Sequence, residues 1–290
     1  QLIKLFKKIQ KVYTLNMDIN VFMAVMVAAI LHSTWNGMVK KHRDKVISVA
    51  AIVFGHVPVA VVVLLFVPLP TIESVPYIIL SALIHQGYQW YLISAYKIGD
   101  LTKVYPIARG TGPIIATLIS IGLLGVLIEK FQIVSIVLIS FGIILLGLLG
   151  ESSLKNKKAI FYSLATGFFI GLYSLIDGYG ARISLTPLSF LGWSFILNAM
   201  IFPFTLKFMN YSNVFSHVMK EAKHIFWIGG TISYIVYAII VWSFTKAPIP
   251  LVGALRETGI IFSIIIGMFF LNEKISIYKI ISIILIFLGI

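Results

Sequence analysis

Cysteine is absent from this 290-residue chain, and charged residues are scarce. Without cysteine, the chain can form no disulfide, thiolate metal site or cysteine nucleophile. Charged residues make up 11% of the chain, whereas a soluble globular domain has about 25%. This shortage of charge argues against a soluble domain.

Apolar residues are abundant and occur in long runs. Hydrophobic residues make up 59% of the chain, and successive runs of about 18–22 residues are each long enough to cross a bilayer as a helix. We therefore predict an all-α polytopic membrane protein with ten transmembrane helices. The predicted helices 1 to 10 span about 19–39, 47–67, 75–96, 102–124, 131–149, 159–181, 187–208, 224–244, 249–270 and 276–290.

The net charge of +13 comes from lysines and arginines in the short loops between these runs. Membrane topology places basic residues there, so we predict no nucleic-acid partner. Loops after odd-numbered helices hold 14 lysines and arginines, against seven on the other side. By the positive-inside rule this difference favours both termini outside the cell.

The two ends of the chain look unusual for a membrane protein. Residues 1–16, QLIKLFKKIQKVYTLN, precede a cleaner beginning at Met17. They could form an amphipathic interfacial segment or be an extension without a role. The last residues, LIFLGI, stop inside an apolar run, so we expect a shortened final helix.

Polar motifs recur in the same order along the chain, at nearly constant offsets of 141 to 147 residues. The pairs are RGTG (109–112) with RETG (256–259), LHSTWNG (31–37) with LYSLIDG (172–178), and Glu129-Lys130 with Glu273-Lys274. We predict a first five-helix repeat over 17–150, a linker at 151–158 and a second repeat over 159–290. Because five is odd, the two repeats must have opposite orientations in the membrane, a common construction of secondary transporters.

These motifs resemble the drug/metabolite transporter superfamily, in its EamA-type ten-helix branch. The resemblance covers nearly the whole chain from Met17 and is carried by the two halves, by AYKIGDLTKVYPIARGTGP (95–113), and by KAPIPLVGALRETGIIFSIIIGMFFLNEK (246–274). It implies a multi-pass protein of the cell membrane that moves small metabolites, often by export and often coupled to protons or exchange. Many members have cytoplasmic termini, in conflict with the charge count, so the orientation stays open.

Three ionisable residues interrupt apolar helices: Arg109, Arg256 and Glu257. Each costs about 2.5–3.5 kcal/mol on insertion scales, so it should face a water-filled cavity or a partner. Neighbours on a helix are about 100° apart, so we expect Arg256 and Glu257 not to pair with each other. We predict that both arginines flank a cavity and that Glu257 titrates or binds a cationic group, unless the arginines only brace helix ends. Gly110, Gly112 and Pro113 predict a break or kink in helix 4.

Asp177 is a further intramembrane carboxylate, four residues after Tyr173 and so on the same helix face. If it is desolvated, Asp177 could exchange a proton during a transport cycle. The alternative is a structural carboxylate near the helix end, bound to Arg182 or to water.

His32 and Asn36 repeat the same spacing in the first half, with Trp35 between them. A single histidine in an apolar helix is usually a packing residue. The repeated spacing favours a binding role here, with Trp35 as an aromatic wall.

Helix 3 carries the most polar run, LIHQGYQWYLI. His85 and Gln89 share one face, and Gln86 and Trp90 share the adjoining face. We predict that these four residues line the cavity, whereas hydrogen bonding between helices is the alternative.

The function predicted from these residues is secondary transport of a small polar or zwitterionic metabolite, such as an amino acid or related amine, by alternating access. The partners would be this substrate, membrane lipids and, if transport is coupled, protons. No HExxH or Walker motif occurs, so we predict no enzyme activity, no metal and no other cofactor. A lipid-linked flippase subunit or membrane scaffold is the alternative.

Overall fold

The structure is a computed structural model that describes residues 17–149, 156–271 and 276–290. Within these ranges the regular elements are all helical and no strand occurs. The helices are α1 (Ile19–Lys41), α2 (Lys45–Leu64), α3 (Val75–Ile98), α4 (Leu101–Gly122), α5 (Lys130–Leu148), α6 (Lys157–Ile183), α7 (Pro187–Phe208), α8 (Val214–Glu221), α9 (Gly230–Phe244), α10 (Ile249–Glu257), α11 (Gly259–Leu271) and α12 (Ile277–Gly289). A 3₁₀ turn (Ile72–Ser74) precedes α3, and a π-helical turn (Ile225–Gly229) leads into α9.

Short polar side chains set the starts of several helices. The carboxylates of Asp18, Asp44 and Asp100 and the amide oxygen of Asn156 each accept a hydrogen bond from a backbone N–H in the first turn that follows. Such caps satisfy N–H groups that have no partner within the helix. The polar loop residues therefore determine where each apolar run begins as a helix.

Seven of the described helices are long and apolar enough to cross a membrane, judged by length and composition: α1, α2, α4 to α7, and the π turn with α9. Large apolar side chains such as Phe66, Phe131 and Phe208 lie on the outer surface, with exposed fractions of 83%, 85% and 78%. Lipid tails would contact these side chains in a bilayer. The architecture is that of a polytopic membrane protein, while the count of ten transmembrane helices stays a prediction.

Helix 4 was predicted to break, but α4 continues through Pro106 and Pro113. The glycines beside Pro113 instead allow close packing: a Cβ on Gly110 would lie 2.7 Å from the Ser140 carbonyl oxygen, and one on Gly112 would lie 2.6 Å from Ile170. The break is therefore absent, because these glycines serve contacts between helices, while the kink predicted as its alternative stays a prediction.

Helix 9 was predicted to be continuous, but it divides at Thr258 into α10 and α11. The Thr258 hydroxyl and backbone N–H both donate to the Leu255 carbonyl, at 2.7 and 3.1 Å. Gly259 then lets α1 approach, since a Cβ there would lie 2.5 Å from the carbonyl oxygen of Ala29. A hydroxyl that competes for a helix carbonyl and a glycine that admits a neighbouring backbone together explain the division.

Helices pack in an exchanged pattern, in which the first helix of each part of the chain contacts helices of the other part. Helix α1 packs on α9, α10 and α11, whereas α6 packs on α3 and α4. Helix α2 contacts α7, and α5 contacts α12. The elements α1 to α4, α6, α7, α9 and α10 consequently surround a central space.

The remaining predictions of chain organisation concern connections and ends. Helix α6 begins at Lys157, inside the predicted linker. The short helix α8 was not predicted; it buries Val214 and Val218. Residues 1–16, the Glu273-Lys274 pair and most of the linker lie outside the described residues.

Candidate functional site

A cavity lies in the middle of the helix bundle. Its wall includes His32, Trp35 and Asn36 from α1, with Val49, Val53 and His56 from α2; His85, Tyr88, Gln89 and Tyr96 from α3; Tyr105 and Arg109 from α4; Tyr173 from α6; Phe195 and Asn198 from α7; Ser233 and Tyr237 from α9; and Arg256 from α10. Along α1, α2 and α3 these positions run from mid-helix toward the ends at Lys41, Lys45 and Ile98. Aromatic and apolar walls with a few convergent polar groups are typical of a small-molecule site.

Two arginines of this wall share one carboxylate, that of Glu257. Arg109 Nε lies 2.9 Å from Glu257 Oε2, and Arg256 donates to Oε1 through Nη2 at 2.7 Å and Nε at 3.0 Å. All three residues are buried. Bidentate contacts of this kind are strong, and burial raises the cost of removing any member.

The contact between Arg256 and Glu257 contradicts the expectation that they would not pair. Glu257 is the last residue of α10, directly before the division at Thr258. The two side chains therefore do not have to follow the geometry of a continuous helix, and the long arginine side chain reaches its neighbour. Glu257 also lies behind the arginines and is not part of the cavity wall.

A hydrogen-bond network joins α1 to α4 beside this cluster. The Tyr105 hydroxyl accepts from Asn36 Nδ2 at 3.0 Å and from Arg109 Nε at 3.2 Å. It can therefore donate its own proton to His32 Nε2, at 3.1 Å. Arg109 Nη2 also points at His32 Nε2. Since an arginine can only donate, His32 Nε2 is an acceptor and the ring is neutral in this arrangement.

A second buried carboxylate lies near the arginine cluster but on a different helix. Asp177 Oδ2 accepts from the Tyr237 hydroxyl at 2.5 Å and lies 4.0 Å from His85 Nε2. Asp177 is 1% exposed. The imidazole of His85 stacks on Tyr173, with ring centroids 4.3 Å apart. His85, Tyr173 and Tyr237 separate Asp177 from the cavity.

The second half of the chain matches a known family. Residues 157–290 match the sequence model of the EamA-like transporter family. That family is part of the drug/metabolite transporter superfamily, so the resemblance drawn from the sequence motifs is confirmed.

Solved structures share the fold of this chain. Twenty-eight chains from solved structures match this chain. One crystal structure, described only as that of a protein, superposes with a TM-score of 0.72 at 16% identity and covers 93% of this chain and 96% of its own. At this identity the likeness shows the fold alone. No curated protein matched the chain.

Most of the predicted site residues surround the cavity. His32, Trp35, Asn36, His85, Gln89, Arg109, Tyr173 and Arg256 are part of its wall. Trp35 meets His32 edge-on, with ring centroids 4.9 Å apart. Asp177 and Glu257 lie immediately behind the wall, each bound to wall residues. Arg182 donates to the carbonyls of Phe244 and Ala247.

Two residues of α3 do not line the cavity, contrary to prediction. Gln86 donates to the Asn198 side chain at 2.7 Å and accepts from the Thr205 hydroxyl at 2.6 Å, so it joins α3 to α7. Trp90 is 39% exposed on the outer surface. The cavity face of α3 is narrower than predicted because α6 and α7 pack against its flanks.

Sequence reasoning missed several polar wall residues, among them Tyr88, Tyr105, Asn198 and Tyr237. A signal existed for Tyr105, which precedes Arg109 by one helical turn and so shares its face. Tyr88 directly precedes Gln89, which was predicted. Asn198 sits alone in an apolar helix, and only packing against α3 shows its role.

Proposed function

We propose that this chain is a secondary active transporter for a small polar metabolite that carries a carboxylate, such as an amino acid. The substrate would bind in the central cavity of a multi-pass protein of the cell membrane. The partners would be this metabolite, the surrounding lipid and, if transport is coupled, protons.

The observation that carries this proposal is the pair of arginines in the cavity wall. A guanidinium has five N–H donors. The contacts of Arg109 and Arg256 use Nε and Nη2, and no contact among the described residues uses Nη1 of either side chain. The Nη1 groups are thus the donors through which a substrate carboxylate would bind, in a site where two guanidiniums share Glu257.

The rest of the cavity fits a small organic molecule. Trp35, Tyr88 and Phe195 supply aromatic surface, whereas Gln89 and Asn198 supply amides. The remaining part of the substrate would pack on the aromatic rings and bond to the amides. These surfaces also suit the ammonium group of an amino acid, through contact with aromatic faces.

The proposed transport cycle is alternating access between two inverted five-helix repeats. The exchanged packing supports this: the first helix of each predicted half, α1 or α6, lies on the third and fourth helices of the other half. The contact of α5 with α12 is reciprocal as well. A Cβ on Gly142 would lie 3.0 Å from the Ser282 carbonyl oxygen, and one on Gly289 would lie 2.9 Å from that of Ser135. The offset from Ser135 to Ser282 is 147 residues, as it is from Gly142 to Gly289 and from Arg109 to Arg256.

Uptake into liposomes tests the proposal. The purified protein would be reconstituted and assayed with a panel of radiolabelled amino acids and matched amines without a carboxylate, with and without a pH gradient. We expect uptake of at least one carboxylate-bearing compound and none of its matched amine. Fluorescent-lipid scrambling without uptake would support the flippase alternative.

Arg256→Gln tests the role of the arginine pair in the same assay. Loss of a charge-assisted contact of about 1.5–3 kcal/mol should raise the substrate concentration at half-maximal uptake by tenfold or more. The matched control is Arg43→Gln, at an exposed arginine in the loop between α1 and α2. Unchanged uptake kinetics in Arg256→Gln would refute the proposed binding mode.

A further inference from the structure

Several groups around the cavity could carry a proton. Their contacts show which of them are suited to do so. His32 is already an acceptor for Arg109 and Tyr105 at Nε2. A proton on that nitrogen would remove the acceptor and place a second positive charge against Arg109. His32 therefore orients Arg109 and is unsuited to binding a proton.

Glu257 is unsuited for a different reason. Its Oε1 accepts from Arg256 at 2.7 and 3.0 Å, and its Oε2 forms an ion pair with Arg109 Nε at 2.9 Å. Protonation would leave two buried guanidiniums beside each other without a compensating charge. The arrangement stabilises the ionised carboxylate and opposes proton uptake.

His56 lacks a carboxylate partner within the described part of the chain. Its Nε2 lies 3.1 Å from the Ser233 hydroxyl, and its ring stacks on Phe195 with centroids 4.3 Å apart. Protonation would create a buried cation facing a neutral hydroxyl and aromatic rings. His56 is therefore a packing residue of the wall.

His85 differs from the other two cavity histidines because it faces an acid. Its Nδ1 lies 2.9 Å from the Ser81 carbonyl oxygen, which can only accept, so Nδ1 carries the hydrogen. The other nitrogen, Nε2, is then the one that gains or loses a proton, and it faces Asp177 Oδ2 at 4.0 Å. This distance is too long for a direct hydrogen bond but short enough for a strong electrostatic interaction.

One oxygen of the Asp177 carboxylate is available to bind a proton. Its Oδ2 accepts from Tyr237, whereas Oδ1 has no hydrogen-bond partner among the described residues. A buried carboxylate oxygen without a partner is costly, and a proton there would remove the charge.

The groups that face this pair come from each helix packed around it. They are Ser81 and Tyr88 from α3, Tyr173 from α6, Phe195 from α7, Tyr237 from α9 and, at longer range, His56 from α2 and the Arg256 guanidinium from α10.

We propose that His85 and Asp177 together form the proton-binding site of this transporter, separate from the arginine cluster that binds the substrate. The use of the proton in transport rests on the proposed function. With His32, His56 and His85 neutral, the two arginines balance the two carboxylates. A substrate that carries a carboxylate without an ammonium group would add one buried negative charge, and a proton on the pair would balance it. Because such coupling is reciprocal, substrate and proton each favour the binding of the other.

Infrared difference spectroscopy of the purified full-length protein, between low and high pH and in both water and deuterium oxide, tests the site without any substrate. We expect the C=O stretching band of a protonated buried carboxyl at low pH, and we expect Asp177→Asn to remove it. The matched control is Glu221→Gln, an exposed carboxylate that lies 3.1 Å from His217 and should leave the band unchanged. Persistence of the band in Asp177→Asn would overturn the proposal.

Two milder variants decide the matter if Asp177→Asn does not fold. Tyr237→Phe removes the hydrogen bond to Oδ2, and His85→Gln removes the facing imidazole. Each should shift the pH midpoint of the band by about one unit or more, and a wild-type midpoint in both would reject the assignment. Arg256→Gln should weaken uptake but keep the band, so the transport proposal and the proton-site proposal fail separately.

Discussion

The substitution Glu257→Gln should strongly destabilise the fold because it leaves two buried arginines without their shared carboxylate. Glutamine keeps the size of the side chain but loses the charge that pairs with Arg109 at 2.9 Å and accepts from Arg256 at 2.7 and 3.0 Å. The net charge of the three-residue cluster rises from +1 to +2. Breaking a buried ion pair by removing one partner costs about 3–5 kcal/mol. We expect a loss of this size in the free energy of unfolding.

Unfolding by SDS in mixed micelles, followed by tryptophan fluorescence, measures this change. Glu221→Gln serves as the matched control, since the Glu221 side chain is 50% exposed and should change stability by no more than about 0.5 kcal/mol. The double variant Arg256→Gln/Glu257→Gln returns the cluster to a net charge of +1. It should therefore be more stable than Glu257→Gln alone, by about 1–3 kcal/mol.

Two results would refute the reasoning on this cluster. A cost below about 1 kcal/mol for Glu257→Gln would mean that water or another group compensates the arginines. Strict additivity of the Arg256 and Glu257 substitutions would mean that the two side chains do not interact energetically.

Further predictions test the cavity network and the packing around it. Tyr105→Phe removes a hydroxyl shared by three side chains and should lower the free energy of unfolding by about 1–3 kcal/mol in the same assay; an unchanged stability would contradict the network. Gly171→Ala should cost about 1–3 kcal/mol, because its Cβ would lie 2.8 Å from a backbone oxygen of α4. Gly37→Ala, with open space around it, should keep or raise stability. Trp90→Ala should leave liposome uptake kinetics unchanged, whereas Gln89→Ala should raise the substrate concentration at half-maximal uptake. Equal effects would contradict the placement of Trp90 on the outer surface and of Gln89 in the cavity wall.

The positions of the charged site residues could be predicted from sequence, but their partners could not. Arg109 and Arg256 are conspicuous because a charge in an apolar helix needs a cavity or a partner. That Glu257 would bind both was hidden, because the pairing depends on the division of the helix at Thr258 and on the approach of α4. Ideal helix geometry led to the wrong expectation that Arg256 and Glu257 would not pair.

Helix 3 shows the same limit for uncharged residues. Its pattern marked a polar face, and His85 and Gln89 do line the cavity. Gln86 and Trp90 do not, because α7 covers one flank of the helix and the outer surface begins on another. A helical repeat tells which residues share a face, but only the neighbouring helices determine what that face contacts.

Composition and the lengths of the apolar runs by themselves determined that this chain is an all-helical membrane protein. The polar residues within those runs marked the middle of the bundle. Both conclusions follow from the cost of placing charge and unpaired backbone in hydrocarbon, a cost that each segment meets by itself. The tertiary structure alone decided which carboxylate neutralises the arginines and which faces a histidine. Ion pairs and hydrogen bonds join atoms from different helices, and their distances depend on how the helices pack.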